Sequence, residues 1–71
     1  MTKVVARFRL QSGLTERQLA RLADLRGVYG VLGFDLDQAN HRLSVEYDAT
    51  RLRPEEVTSL LHRAGVPALR E

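Results

Sequence analysis

Residues 30–65 read GVLGFDLDQANHRLSVEYDATRLRPEEVTSLLHRAG, and this stretch decides the fold. Leu32, Phe34 and Leu36 alternate with Val31, Gly33 and Asp35. That is the period of a half-buried strand, with the first set facing inward. A polar turn at 38–41, centred on Ala39-Asn40, follows, and Leu43, Val45 and Tyr47 then resume the alternation. Two alternating runs around a short polar link predict an antiparallel hairpin. Pro54 stands at a first helical position, and Glu55 and Glu56 suit the positive end of a helix dipole. Val57, Leu60, Leu61 and Ala64 recur at i, i+3, i+4 and i+7, one buried stripe. Gly65 ends the helix.

The residues before this stretch supply a matching half. In residues 2–10, Val4, Ala6, Phe8 and Leu10 share one face, while Lys3, Val5, Arg7 and Arg9 share the other. This predicts a strand, which Gln11-Ser12-Gly13 breaks. A helix over 14–26 has an explicit start: Thr15 caps it, and Gln18 three residues on completes a capping box. Leu14 and Leu19 stand where a hydrophobic staple would be, and Leu19, Leu22 and Ala23 form the core stripe with Leu25 at its border. Gly27 is the residue expected to take positive φ after the helix. Beyond Gly65, residues 66–69 are apolar enough for a last strand, which Pro67 confines to an edge. Strand, helix, strand, strand, helix, strand is the α+β, ferredoxin-like βαββαβ order. It predicts a four-stranded antiparallel sheet with two helices on one face and the other face open.

Size and composition bound the function. The 71 residues suit a single domain over 1–71, one that buries only about 60 % of its unfolded surface. With no cysteine in the chain, a disulfide framework, a redox pair and any thiolate metal site are excluded. No apolar run approaches the roughly 20 residues of a membrane span, and no signal peptide is expected, because the apolar run at 4–6 is too short and charged residues follow it. A cytoplasmic location is the expectation. The net charge is +2, with arginines interspersed among carboxylates, as on an ordinary solvated surface.

Gly30-Val31, Val45-Glu46-Tyr47-Asp48, Pro54-Glu55-Glu56 and Ala64-Gly65 resemble the heavy-metal-associated domain, found in small copper and mercury chaperones and in metal-pumping ATPases. The N-terminal third is similar in layout, with about one extra residue before Gly30. The resemblance implies a metal loop of the form Gly-Met-Thr-Cys-x-x-Cys after the first strand. Here that loop is Gly13-Leu14-Thr15-Glu16-Arg17-Gln18-Leu19, with Glu16 and Leu19 at the two cysteine positions. Soft ions such as Cu(I) and Hg(II) need polarisable sulfur, which a carboxylate and a leucine lack. Val66 occupies a position, directly after Ala64-Gly65, that is often aromatic or Lys in the family.

Three candidate sites follow. The loop at 12–18 presents helix N-terminal N–H groups, which favour anions unless Thr15 and Gln18 satisfy them first. His41 and His62 are expected at the loop's end of the sheet, as solvated histidines or, with Glu16 or Asp37, as a weak site for a borderline metal ion. The open sheet face carries Lys3, Arg7, Arg9, Arg42, Ser44 and Glu46 but lacks the exposed aromatics that stack bases, so nucleic acid is not expected. There Arg7 or Arg9 is expected to pair with Glu46 across the strands. Nothing supports catalysis, and no cofactor is expected. The sequence therefore predicts a non-catalytic docking or regulatory module. Its protein partner would be a metal-transporting ATPase or a chaperone, and Gly13, Thr15, Glu16, Arg17, Leu19, Arg63 and Val66 would surround the contact. The alternatives are the His/carboxylate metal site and a homodimer formed through the open face or the last strand.

Overall fold

The computed structural model describes residues 2–27 and 30–71. The elements are β1 (Lys3–Leu10), α1 (Glu16–Asp24), β2 (Val31–Asp37), β3 (Arg42–Asp48), α2 (Pro54–Arg63) and β4 (Ala68–Arg70). The strands form one antiparallel sheet in the order β2-β3-β1-β4. This is the ferredoxin-like arrangement, with both helices over one face.

The inward face follows from strand parity. Phe8 lies opposite Leu43 and Ala6 opposite Val45, and all four are buried. Val4 lies opposite Tyr47 but stays partly exposed at the end of the sheet. Against this face α2 buries Val57, Leu61 and Ala64, and α1 contributes Leu22, with Leu19, Leu25 and Leu60 packing at the margin. Leu52, in the link before α2, is also buried, although nothing in its Arg51-Leu52-Arg53 context suggested it.

Several local expectations are corrected. In β2, Val31 faces inward and is buried, because a bulge between Val31 and Gly33 places Val31 opposite Tyr47 and Gly33 opposite Glu46. Leu32 is the extra residue of that bulge, so the parity read from the sequence holds only from Gly33 onward. The α1 helix is shorter than 14–26. Thr15 is a non-helical cap, and the chain leaves the helix at Leu25 and turns back at Gly27, with φ +85°. Ala23 falls on the exposed face of α1. The last strand starts at Ala68 rather than Val66. The Ala68 N–H donates to the Val66 carbonyl at 2.9 Å, a tight turn over Pro67 that suits the fixed φ of proline. On the open face Lys3, not an arginine, pairs with Glu46, at 3.4 Å. Tyr29, placed before β2 by the sequence, lies outside the described residues.

Asp48 joins three parts of the chain. Its carboxylate is only 4 % exposed. It accepts from the Thr50 hydroxyl at 2.7 Å, the Thr50 N–H at 3.0 Å and the Thr2 N–H at 3.3 Å. Its own N–H donates to the Gly30 carbonyl at 2.8 Å, and its carbonyl accepts from Arg51 and Leu52. Gly30 has φ +91°, and a Cβ there would lie 3.1 Å from the Arg51 Cβ. Gly30→Ala therefore combines a strained backbone with a clash, and is expected to destabilise the fold by about 1–3 kcal/mol in denaturant unfolding.

The Thr50 hydroxyl and N–H hold the Asp48 carboxyl below the ordinary carboxylate range, against the opposing effect of burial, and the Thr2 N–H adds to the lowering. A carboxyl depressed in the folded state contributes stability that is complete above its unfolded pKa of about 3.9 and is lost as pH falls through the folded value. The stability gap between the unaltered protein and Asp48→Asn is therefore expected to be constant near neutrality and to shrink below about pH 4, as read from urea unfolding at stepped pH.

Candidate functional site

Side-chain amides close the loop between β1 and α1 from two directions. From the β2–β3 turn, the Gln38 Oε1 accepts the Leu14 N–H at 3.0 Å, and its Nε2 donates to the Leu14 carbonyl at 3.3 Å. This two-point contact holds one residue of the loop much as a strand neighbour would. The Leu10 N–H donates to the His41 carbonyl at 2.7 Å, seating the tip of the same turn on the end of β1. From α1, the Gln18 Oε1 accepts the Thr15 N–H at 2.8 Å, and the Thr15 Oγ1 accepts the Gln18 N–H at 3.2 Å. The Gln18 Nε2 reaches the Gly65 carbonyl at 2.9 Å, tying the start of α1 to the end of α2.

The loop is thus bonded to the β2–β3 turn, to its own helix start and to the end of α2. The capping box takes up the Thr15 and Gln18 N–H groups, part of the donor set that an anion would use at the start of α1. Gly13 lies against Gln38: a Cβ there would come within 3.1 Å of the Oε1 atom. Glu16 and Arg17 are exposed on the first turn, and Leu19 is half-buried against the core. Neither position at the expected cysteines offers a soft donor, so these residues do not fit a Cu(I) or Hg(II) ion.

Val66, expected among the residues around the contact, belongs to the core instead. It is completely buried, and its N–H donates to the Leu61 carbonyl at 2.9 Å. The chain reverses at Gly65 and drops Val66 beneath α2. The two histidines take separate structural places. His41 sits at the hairpin tip with φ 52°, one of the few conformations there that suit a polar residue. His62 is not merely solvated: its Nε2 lies 3.0 Å from the Ala68 carbonyl and donates to it. Among the described residues no three His, Asp or Glu side chains gather as a ligand set, so Glu16 and Asp37 do not complete one with the histidines.

The structure brings Arg17 and Arg63 together, and adds a residue that the sequence reading passed over. Arg17, Arg21 and Arg63 line a cleft of about 260 Å³ with Gln18, Ala64 and Gly65, between the start of α1 and the end of α2. Among the described residues no carboxylate lies within ion-pair distance of these three guanidinium groups. The i, i+4 spacing of Arg17 and Arg21 was the available signal for one shared helix face. Gln38 had no such signal, since a glutamine in a polar turn looks unremarkable.

On the open face the aromatic side chains are withdrawn. Phe8 and Tyr47 are buried and Phe34 packs against the core, which leaves no stacking platform there among the described residues. A groove of about 470 Å³ along α2 includes Glu55 and Glu56, but the Glu56 carboxylate is engaged by the Arg53 N–H at 3.1 Å. The pair serves the helix start.

An antiparallel sheet in this strand order, two helices on one face and a closed loop before α1 together define the comparison to make. The chain has the fold of a heavy-metal-associated domain. It is similar to the apo form of the HMA domain of the copper chaperone for superoxide dismutase, with 22 % identity, a TM-score of 0.77, and 99 % of this chain and 68 % of that one covered. It is also similar to oxidized MerP from Ralstonia metallidurans CH34, with 14 % identity, a TM-score of 0.78 and 99 % of each chain covered. No family model and no curated protein matches the sequence. The heavy-metal-associated fold is therefore present in a chain that contains no cysteine.

The Gln38 clamp has a measurable consequence. Gln38→Ala is expected to cost about 1 kcal/mol, for two partly solvated hydrogen bonds, and to raise amide exchange at Leu14 while leaving the β1–β3 amides protected. Unchanged exchange at Leu14 would show that the loop is held by packing alone.

Proposed function

We propose that this domain is a docking module: a heavy-metal-associated fold that engages a protein partner at the loop end without carrying a soft metal ion. The observation that supports it is the Arg17–Arg21–Arg63 cleft beside a loop tied to the β2–β3 turn and to the end of α2. Three guanidinium groups with no carboxylate partner among the described residues favour a surface that presents carboxylates, because Arg binds them in a bidentate way. The partner in this reading is the acidic face of a metal-transporting ATPase domain or of a chaperone, and the module acts on it by occupancy or regulation. It needs no cofactor and performs no catalysis.

The experiment is an NMR titration of the labelled protein against the cytosolic domain of a metal-transporting ATPase from the same source. Shifts are expected at 13–21 and 62–66. Reversing Arg17 and Arg63 to Glu should weaken the complex by at least about tenfold and reduce its salt dependence. A titration with Cu(I) in parallel should leave the spectrum unchanged at stoichiometric metal. Tight Cu(I) capture, or partner binding indifferent to both reversals, would overturn the reading.

A further inference from the structure

We propose that the open sheet face is a self-complementary surface on which a second copy of this chain docks, with Arg7 of each copy on Asp35 of the other. The cross-strand register sets out the charges in rows. One row runs Arg7, Ser44, Asp35 across β1, β3 and β2; the next runs Arg9, Arg42, Asp37; the third runs Val5, Glu46, Gly33. The β1 positions of the first two rows are basic and the β2 positions acidic. The strand between them separates each opposite pair by two strand spacings, about 10 Å from backbone to backbone. Among the described residues no ion pair joins Arg7 to Asp35 or Arg9 to Asp37, so both charges of each pair face outward for a partner.

A two-fold axis along β3, between two such faces, exchanges β1 and β2. It lays Arg7 over Asp35 of the second copy and Val5, which is 48 % exposed, over the bare backbone of Gly33. Each contact occurs twice, as an isologous interface requires. The surface has the matching relief. Two depressions of about 280 and 440 Å³ flank Ser44, and Arg7, Asp35 and Ser44 line both. Small residues at the centre and charged side chains around it give each copy room for the guanidinium of the other. The Arg9–Asp37 contact is secondary, because Asp37 already accepts from the Asn40 amide at 2.8 Å and the Asn40 N–H at 3.1 Å. Like residues meet on the axis, but Glu46 is held by Lys3 and Arg42 stands beside Asp37.

The sheet edges are poor alternatives. The β4 strand is three residues long and follows Pro67, while β2 is bulged at Leu32 and carries Asp35 and Asp37. Short, bulged and charged edges resist strand addition.

Sedimentation velocity at millimolar protein and low salt tests the assignment. The unaltered protein is expected to dimerise and to dissociate as salt is raised. Arg7→Asp alone and Asp35→Arg alone should each weaken the dimer by roughly a hundredfold, since each puts like charges face to face twice. An equimolar mixture of the two variants should recover it. In that mixture one copy's new Asp meets the other's new Arg, while the second pair is unaltered. Recovery in the mixture also shows that both variants are folded. A monomer at every concentration, a dimer indifferent to either reversal, or a mixture no more associated than its components would overturn the proposal. Because Arg17, Arg21 and Arg63 are untouched, its failure leaves the docking reading standing, and the reverse also holds.

Discussion

Everything in this molecule depends on the parity of the central strand pair. With Phe8 set against Leu43 and Ala6 against Val45, the period of two puts one set of side chains beneath the helices and the other into solvent. The completely buried Phe8, Val45, Val57 and Val66 then come from both strands, a helix and the last turn, so the layers cannot slide separately. A slip of one residue would bring Arg7 and Arg9 into the core, where an unpaired guanidinium is prohibitively costly. The same parity that fixes the core also fixes the charge pattern on the opposite face.

The elements with strong local grammar were legible in the sequence. The Thr15–Gln18 box, the Val57–Leu61–Ala64 stripe and the alternation of β1 and β3 are each set by neighbours within a few residues. What escaped is set by distant partners. The bulge at Leu32 appears only when β2 is laid on Tyr47 and Glu46. Pro67 delays β4 because the chain must fold Val66 under α2 before it can pair with β1. Leu52 is buried by the layer above it, not by its own surroundings. Of the arginine-lined cleft, Arg17 and Arg63 were singled out in the sequence. Gln38, Arg21 and the true place of Val66 were not, because their roles arise from a turn, a helix face and a chain reversal that meet only in three dimensions.

The loop shows what this version of the fold does with the space beside its helix start. A soft-metal loop has to present two sulfurs and to tolerate the ion's arrival and departure. Here Gln38 holds Leu14 at two points, and Gln18 links α1 to Gly65. These bonds stiffen the segment that a carrier would keep adaptable. In the docking reading proposed above, a loop tied at these points would have less ordering left to do on binding, a cost that otherwise opposes association.

The two surfaces whose charges lack ion-pair partners among the described residues lie on opposite sides of the molecule. The arginine cleft belongs to the helix layer at the loop end, while the Arg7–Asp35 pattern belongs to the open face of the sheet. Occupying one therefore leaves the other accessible. A pair of chains closed across their sheets would carry two arginine clefts, one on each outer layer, facing away from the shared plane. Two moderate contacts held in fixed relation can bind a partner with repeated acidic domains far more tightly than either alone, provided the spacing permits both at once. A domain of 71 residues has little surface to spare, and under the two proposals above its division between an open sheet face and an arginine-lined cleft would let weak electrostatic contacts add up without a large apolar patch.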